Sequence, residues 1–375
     1  MNKKHFLAIS SLVGTILGAG IFGIPYSITY SGLKPAIFYF IILGIVVTCF
    51  HLMFGEIILR NSDNHRFIYY AEKYLGKWGK YAILFSTIVG LGGALLSFII
   101  LGGDFLYLVS FQKINPIILA VLFWVFLSFA VLRGFHFVAK LEAILDTIFF
   151  ILVIFIFASI APLADFSLIP FSTSNSSGLA YGVILFCLIG WMSVPAARQI
   201  LGSKENLKSL KKIIISAGII TTIFSAIFGL VFAAISGPLT TPNVFQGISL
   251  MVNPQIIALL AVFGTLLIST SFLIIAIYFI DCLVLDLGLN RKYSRCFVLL
   301  LPLVLFLLGF RDFILLISAL GVILGTIDGI IIILCYKKAK NDYEREPEYE
   351  LKIPNFILSI FILILLAGAV CFFLP

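Results

Sequence analysis

The sequence predicts an all-α polytopic membrane protein, and three observations carry that prediction. The chain is 62% hydrophobic and 11% charged, with a mean hydropathy of +1.18, whereas a water-soluble domain is about half apolar and about a quarter charged. Uncharged apolar runs recur at lengths that suit a hydrocarbon core about 30 Å thick, which takes about 20 residues to cross. Lysine and arginine fall on alternate connections between those runs.

Taken in order, residues 6–33 form the first span, and 35–55, 81–103 and 114–132 the next three. Lys3 and Lys4 ahead of the first run resemble a signal peptide, but no small-x-small cleavage site follows, so it reads as a retained helix. The fifth span covers 140–161, with Lys140, Glu142 and Asp146 at its entry. A polar stretch from Asp165 to Ser177 leads to the sixth, at 178–198. The charge-free interval 213–280 is too long for one helix, and Ser236-Gly-Pro-Leu-Thr-Thr-Pro-Asn243 cuts it. This gives a seventh span at 209–236 and an eighth at 254–285. Spans at 294–310, 312–336 and 354–374 complete eleven.

Charge placement tests the count. With the N-terminus in the cytoplasm, Lys34, Lys113 and Arg311 lie outside and the other 22 of the 25 lysines and arginines lie inside. That bias predicts a multi-pass protein of the cell membrane, with its C-terminus extracytoplasmic. Lys204, Lys208, Lys211 and Lys212 then anchor topology in the bilayer and do not read as a nucleic-acid patch. The six cysteines form no CxxC pair, so neither zinc nor a disulfide framework is indicated. No paired acidic motif or histidine cluster marks a membrane enzyme, no protein partner is implied, and no cofactor is expected beyond a coupling ion.

The first span contains GTILGAGIFGIPY (Gly14–Tyr26), with Gly18, Gly20 and Gly23 before Pro25; the sixth contains Gly190 before Pro195. Corresponding interruptions in two halves point to an inverted repeat built around discontinuous helices. The expected organisation is a five-plus-five repeat: 1–161, then 178–336 inverted, a cytoplasmic linker at 337–353 and an additional helix at 354–375. A break exposes amides at one half-helix start, which suit a carboxylate, and carbonyls at the other half-helix end, which suit an ammonium group. Gly14 and Gly18 also form a G-x-x-x-G pair, a common packing surface. The density of glycine, the proline and the counterpart in span six favour the binding reading. On that reading a bulky residue at Gly20 should abolish binding and leave the fold intact.

GTILGAGIFGIPY resembles the first-helix signature of the amino acid/auxin permease family, in the amino acid–polyamine–organocation superfamily. Tyr181-Gly-Val-Ile-Leu-Phe-Cys-Leu-Ile-Gly-Trp-Met-Ser-Val-Pro195 is similar to that family's sixth helix, Gly93–Asp104 to its third and Thr270-Ser-Phe-Leu273 to its eighth. The resemblance covers most of 6–336 and implies a LeuT-like fold that takes up neutral, apolar or aromatic amino acids by alternating access. It places the substrate carboxylate at the amides of Ala19 and Gly20, between Gly18 and Ile21. It places the amine at carbonyls near Phe186 and Ile189, beside Gly190, with Trp191 and Phe98 walling the side chain. Phe98 stands where the family often has tyrosine, Ala196-Ala197 where an acidic residue often follows the proline, and Asp104 where glutamate is commoner. A non-transporting amino-acid sensor, or a carrier of another small amine or zwitterion, is the alternative.

Two driving ions stay open. In related sodium-coupled carriers a hydroxyl pair like Thr270 and Ser271, with carbonyls matching Gly14 and Leu17, forms a sodium site; the same hydroxyls also commonly bond back to their own helix. Proton coupling needs a titratable group in the membrane. Glu56, Asp104, Asp146, Asp281, Asp328 and His51 are candidates, Asp146 foremost. Glu56 lies four residues before Arg60, the spacing of a local ion pair. Asp281 and Asp328 read as lying near water at helix ends, and His51 as a satisfied interhelical residue.

Overall fold

In the computed structural model, residues 3–133, 159–175, 177–249 and 251–374 are described, and all their regular structure is helical. The first apolar run is two helices, α1 (Lys3–Ile16) and α2 (Gly20–Ser31), meeting at 53°. Then come α3 (Leu33–Leu59), α4 (Phe67–Leu75), α5 (Lys77–Val109) and α6 (Pro116–Arg133). The sixth run is again divided, into α7 (Gly178–Leu188) and α8 (Val194–Leu201). The short α9 (Lys204–Leu207) precedes α10 (Leu210–Ser236), and the short α11 (Val244–Ile248) precedes α12 (Pro254–Asp281). The chain closes with α13 (Arg291–Leu307), α14 (Phe313–Ala339) and α15 (Asn355–Phe373).

Ten of the eleven expected spans therefore correspond to helices, the first and sixth broken as the glycines and prolines predict. The fifth span, with Asp146, lies almost wholly outside the described residues. The long helices are apolar on all sides, as expected where one side meets other helices and the other meets lipid. α15 illustrates the second case, since only 22% of its most apolar window is buried within the protein.

The two broken spans cross at the centre. α1 packs on α8 and α2 on α7, so each half of one span meets a half of the other, as an inverted repeat demands. α14 and α5 brace α7 and α12, and α10 backs both α1 and α2. One end of the bundle gathers the start of α1, α4, α8 and the described ion pairs of Arg60, Arg66 and Lys73, and is the basic end; its opposite is the far end.

At the far end the segment before α7 folds over the joint between α2 and α3. Pro170 and Phe171 carbonyls accept from the amides of Leu33 and Lys34, each at 2.9 Å. Gly32 at that joint has φ +94°, and a Cβ there would sit 2.7 Å from Ser172 Cα, so only glycine fits. At the basic end, the expected linker 337–353 is a docked strap. Tyr349 Oη donates to the Leu52 carbonyl at 2.7 Å, and the Leu351 amide donates to Glu56 Oε2 at 2.6 Å. Glu56 is fully buried and also pairs with Arg60 at 2.7 Å, as its spacing predicts. The sequence reading missed this docking, because glutamates and tyrosines in a linker carry no signal of which carbonyls they will find.

Candidate substrate site at the two helix breaks

The first break is made by the backbone. Leu17 N–H still reaches the Val13 carbonyl at 2.9 Å, but Gly18 N–H turns to the Ile16 carbonyl at 2.9 Å. That leaves the carbonyls of Gly14, Thr15 and Leu17 without an amide donor. On the other side, α2 starts at Gly20, and the amides of Ala19 and Gly20 have no acceptor on α1. Pro25, inside α2, removes the donor that the Ile21 carbonyl would have received. The second break repeats the pattern. Ile189 is extended (φ −65°, ψ 128°), its amide closing α7 on Leu185, and the carbonyls of Phe186, Cys187, Leu188 and Ile189 find no amide. Gly190 (φ −167°) leads into the single turn Trp191–Ser193, pinned by Ser193 Oγ donating to the Gly190 carbonyl at 2.6 Å. Each unpaired group at membrane depth costs several kcal/mol unless a ligand or water completes it.

The two breaks touch. A Cβ at Gly20 would lie 2.7 Å from Cys187 Cα, and one at Gly190 2.2 Å from Ile16 Cγ1. Gly20 therefore serves close packing of α2 on α7, and its amide alone is free for a ligand. The expectation that a bulky residue at Gly20 would spare the fold is corrected, because that residue would meet helix backbone. Gly18 and Gly14 face differently. A Cβ at Gly18 would meet Phe98 and Ser271 Oγ at 3.7 Å, an ordinary contact, and one at Gly14 nothing within 4 Å. That side of the first break, toward α5 and α12, accepts an added methyl group where the crossing itself does not.

The structure thus brings Gly18, Phe98 and Ser271 together, and sets Ala19, Gly20, Phe186, Ile189 and Gly190 at the crossing. Thr270 and Ser271 both donate back to the Leu267 carbonyl, at 2.9 and 3.1 Å. Trp191 is buried, and its Nε1–H donates to Asp328 Oδ2 at 3.0 Å. Asp328 lies midway along α14 and is only 8% exposed, which corrects its placement near water at a helix end. His51 is buried 6.1 Å from the Trp191 ring with Nε2 unpartnered, so it is not satisfied. Asp281 does sit at a helix end, paired with Arg66 at 3.6 Å and Arg291 at 3.3 Å.

The crossing is sealed toward the far end and latched toward the basic end. Phe22, just past the first break, packs on Phe105, Phe245 and Phe228 at ring distances of 4.9, 5.5 and 5.8 Å, and Phe232 joins them. On α8, Arg198 donates to the carbonyls of Ile58, Asn61, Ser62 and Asp63 at 2.8–2.9 Å. Asn64 Nδ2 adds a bond to the Pro195 carbonyl at 3.0 Å. Four backbone acceptors for one guanidinium tie the second half of span six to the turn after α3. The sequence showed only an arginine at the end of an apolar run, and a carbonyl-rich turn leaves no residue pattern.

The profile of the tryptophan/tyrosine permease family matches residues 1–372, nearly the whole chain. The chain belongs to the tryptophan/tyrosine permease family. Two solved structures share its fold. One is MhsT in complex with L-phenylalanine, with TM-score 0.58 at 13% identity over 98% of each chain. The other is Mhp1, a nucleobase-cation-symport-1 family transporter in a closed conformation with bromovinylhydantoin bound. It has TM-score 0.65 at 12% identity over 98% of this chain and 88% of the other. No curated protein matches the chain. This permease is a multi-pass secondary transporter of a small molecule with a LeuT-like fold, and it is not an enzyme.

Proposed function

We propose that this permease carries neutral amino acids with apolar or aromatic side chains across the cell membrane, by alternating access at the crossing of its two breaks. One observation carries the reading: free amides at Ala19 and Gly20 and free carbonyls at Phe186 and Ile189 meet at one crossing. A zwitterion supplies one partner to each set, so no buried charged side chain is needed at the α-carbon groups. Phe98, Ile189 and Trp191 offer apolar surface to the side chain. The family's tryptophan and tyrosine, the phenylalanine held by MhsT, and the likeness of the motifs to amino acid/auxin permeases support the same substrate class.

The basic end is the cytoplasmic one on this reading, with the N-terminus inside and the C-terminus outside, and the repeats occupy 1–161 and 178–336. The phenylalanine seal then closes the outer path, and the Arg198 latch belongs to the inner gate. A cation gradient drives uptake. A sodium site of Gly14 and Leu17 carbonyls with the Thr270 and Ser271 hydroxyls is supported by the unpaired carbonyls and by Ser271 lying beside Gly18. Asp146, outside the described residues, keeps its role as a proton candidate from the sequence.

Uptake of labelled tryptophan, tyrosine, phenylalanine and leucine into proteoliposomes, under separately imposed sodium and pH gradients, tests the proposal. Saturable, gradient-driven accumulation of at least one aromatic amino acid is expected. Its absence for all four under both gradients would refute the substrate class.

A further inference from the structure

Three buried polar atoms around Trp191 lack a hydrogen-bond partner: Asp328 Oδ1, Ser86 Oγ and His51 Nε2. Native interiors rarely leave such groups empty, and a cluster of three calls for a proton, a water or an ion. Asp328 is the chemical centre. Its Oδ2 accepts from Trp191, and Ser86 of α5 lies beside the carboxyl without completing a bond.

Among the described residues no ion pair reaches Asp328. The neighbouring positions of α14 meet apolar side chains on every packed element. Leu324 lies against Gly90 of α5, Gly325 against Leu185 of α7, and Gly329 against Phe50 of α3 and Leu365 of α15. Toward the far end, Ile314 and Ile317 meet Gly23 of α2. Toward the basic end, Cys335 faces the Tyr70 carbonyl of α4. The titratable groups on and around α14 are thus His51, across the Trp191 ring, and, toward the basic end, Cys335, Tyr336, Lys337 and Lys338 of α14 itself, with Tyr70, Glu56 and Lys340 beside them.

A lone carboxylate at membrane depth is neutralised by a cation or a proton. A metal cation needs several converging oxygens, and here one carboxylate oxygen already accepts an indole N–H, whose positive end repels a cation. A proton needs only Oδ1, and the resulting O–H has Ser86 Oγ as a ready acceptor. The indole completes the link to transport. Trp191 opens the turn that joins Gly190 to α8, so its hydrogen bond ties the second break to α14. An ionised acceptor holds that N–H about twice as strongly as a neutral one.

We propose that Asp328 is the proton-binding site of the transport cycle and that Trp191 transmits its charge state to the break in span six. Ionised Asp328 holds Trp191 and fixes the turn; the protonated acid donates from Oδ1 to Ser86 Oγ, and its Oδ2 holds the indole about half as strongly, which loosens the turn. This rests on the carrier reading above and moves the proton role from Asp146 to Asp328; the sodium site proposed there is a separate question with its own test.

Trp78, Trp124 and Trp191 are the chain's three tryptophans, so W78F/W124F leaves Trp191 as the sole emitter. Its fluorescence is titrated between about pH 5 and about pH 9, a range wide enough for a buried carboxyl. One protonation step is expected, absent after D328N and kept after H51Q. A flat titration in the W78F/W124F protein overturns the proposal without recourse to D328N, which could misfold. A step that survives D328N, or is lost in H51Q alone, assigns the proton elsewhere and overturns it too. In proteoliposomes, phenylalanine, tryptophan and tyrosine counterflow in the native protein should change with pH, and that dependence should vanish in D328N. No counterflow of any of the three in the native protein counts against the substrate reading alone, while the emission titration still decides on Asp328.

Discussion

Alanine at Gly20, Gly18 and Gly14 is one chemical change placed in three different spaces. At Gly20 the new Cβ would lie 2.7 Å from Cys187 Cα, 3.0 Å from its Cβ and 3.1 Å from its amide nitrogen. Carbon atoms rest at about 3.5–4.0 Å, so α2 and α7 must part by about 1 Å. None of these atoms can swing aside on a rotamer, so the overpacking cost should reach the upper part of about 1–3 kcal/mol. At Gly14, inside α1 with nothing within 4 Å, alanine meets no clash, and the better helix former should gain up to about 1 kcal/mol. At Gly18 the contacts at 3.7 Å are normal, so stability should hold while the space beside Phe98 and Ser271 shrinks by one methyl group. The assay pairs thermal unfolding of the purified protein with equilibrium binding of labelled phenylalanine. The expected stability order is G14A at or above the native protein, G18A near it and G20A clearly below. Binding should fall in G18A despite its native stability. G20A as stable as G14A would refute the close crossing of the two breaks, and full-affinity binding by G18A would remove Gly18 from the ligand space.

Three further predictions follow from the ends of the bundle and from α12. R198K keeps the charge but loses the planar fork that spans four carbonyls, so it should destabilise by about 2 kcal/mol and speed protease cleavage between Ile58 and Asn64. Unchanged cleavage would mean that the latch does not hold that turn. Glu344 is bonded by Lys73 Nζ at 2.5 Å and by the Ser62 amide at 2.8 Å, and these hold its carboxyl down to about 2, against an ordinary 4.5. Its contribution is complete above pH 4.5 and is lost as pH falls toward 2, so E344Q should flatten the acid limb of the unfolding midpoint between those values. An identical acid limb in both proteins would count against the strap. The double variant T270A/S271A removes two hydroxyls that only bond back to Leu267, so the fold should persist while any sodium dependence of uptake disappears. Sodium dependence that survives would assign the hydroxyls to their helix alone.

What the sequence determined by itself is what depends on the solvent and on local backbone chemistry. Hydrocarbon imposes uncharged runs of fixed length, and charge bias orders the connections, so ten spans could be placed before any coordinate. Gly18 and Gly20, and Gly190, mark where a helix is free to break, and both breaks lie there, each with a proline (Pro25, Pro195) a few residues on in the half-helix that follows. Tertiary structure alone decided what each break faces. Gly18 and Gly20 are two residues apart and alike in sequence, yet one borders Phe98 and Ser271 while the other is filled by Cys187. Asp328 looked like a carboxyl near a helix end until α3, α5, α7 and α15 closed around it, and Arg198 and the 337–353 strap found backbone carbonyls that have no sequence signature. The physical reason is the same throughout. Spans and breaks follow from each residue's own preference for lipid and for backbone angles, whereas burial and partners are properties of pairs far apart in the chain.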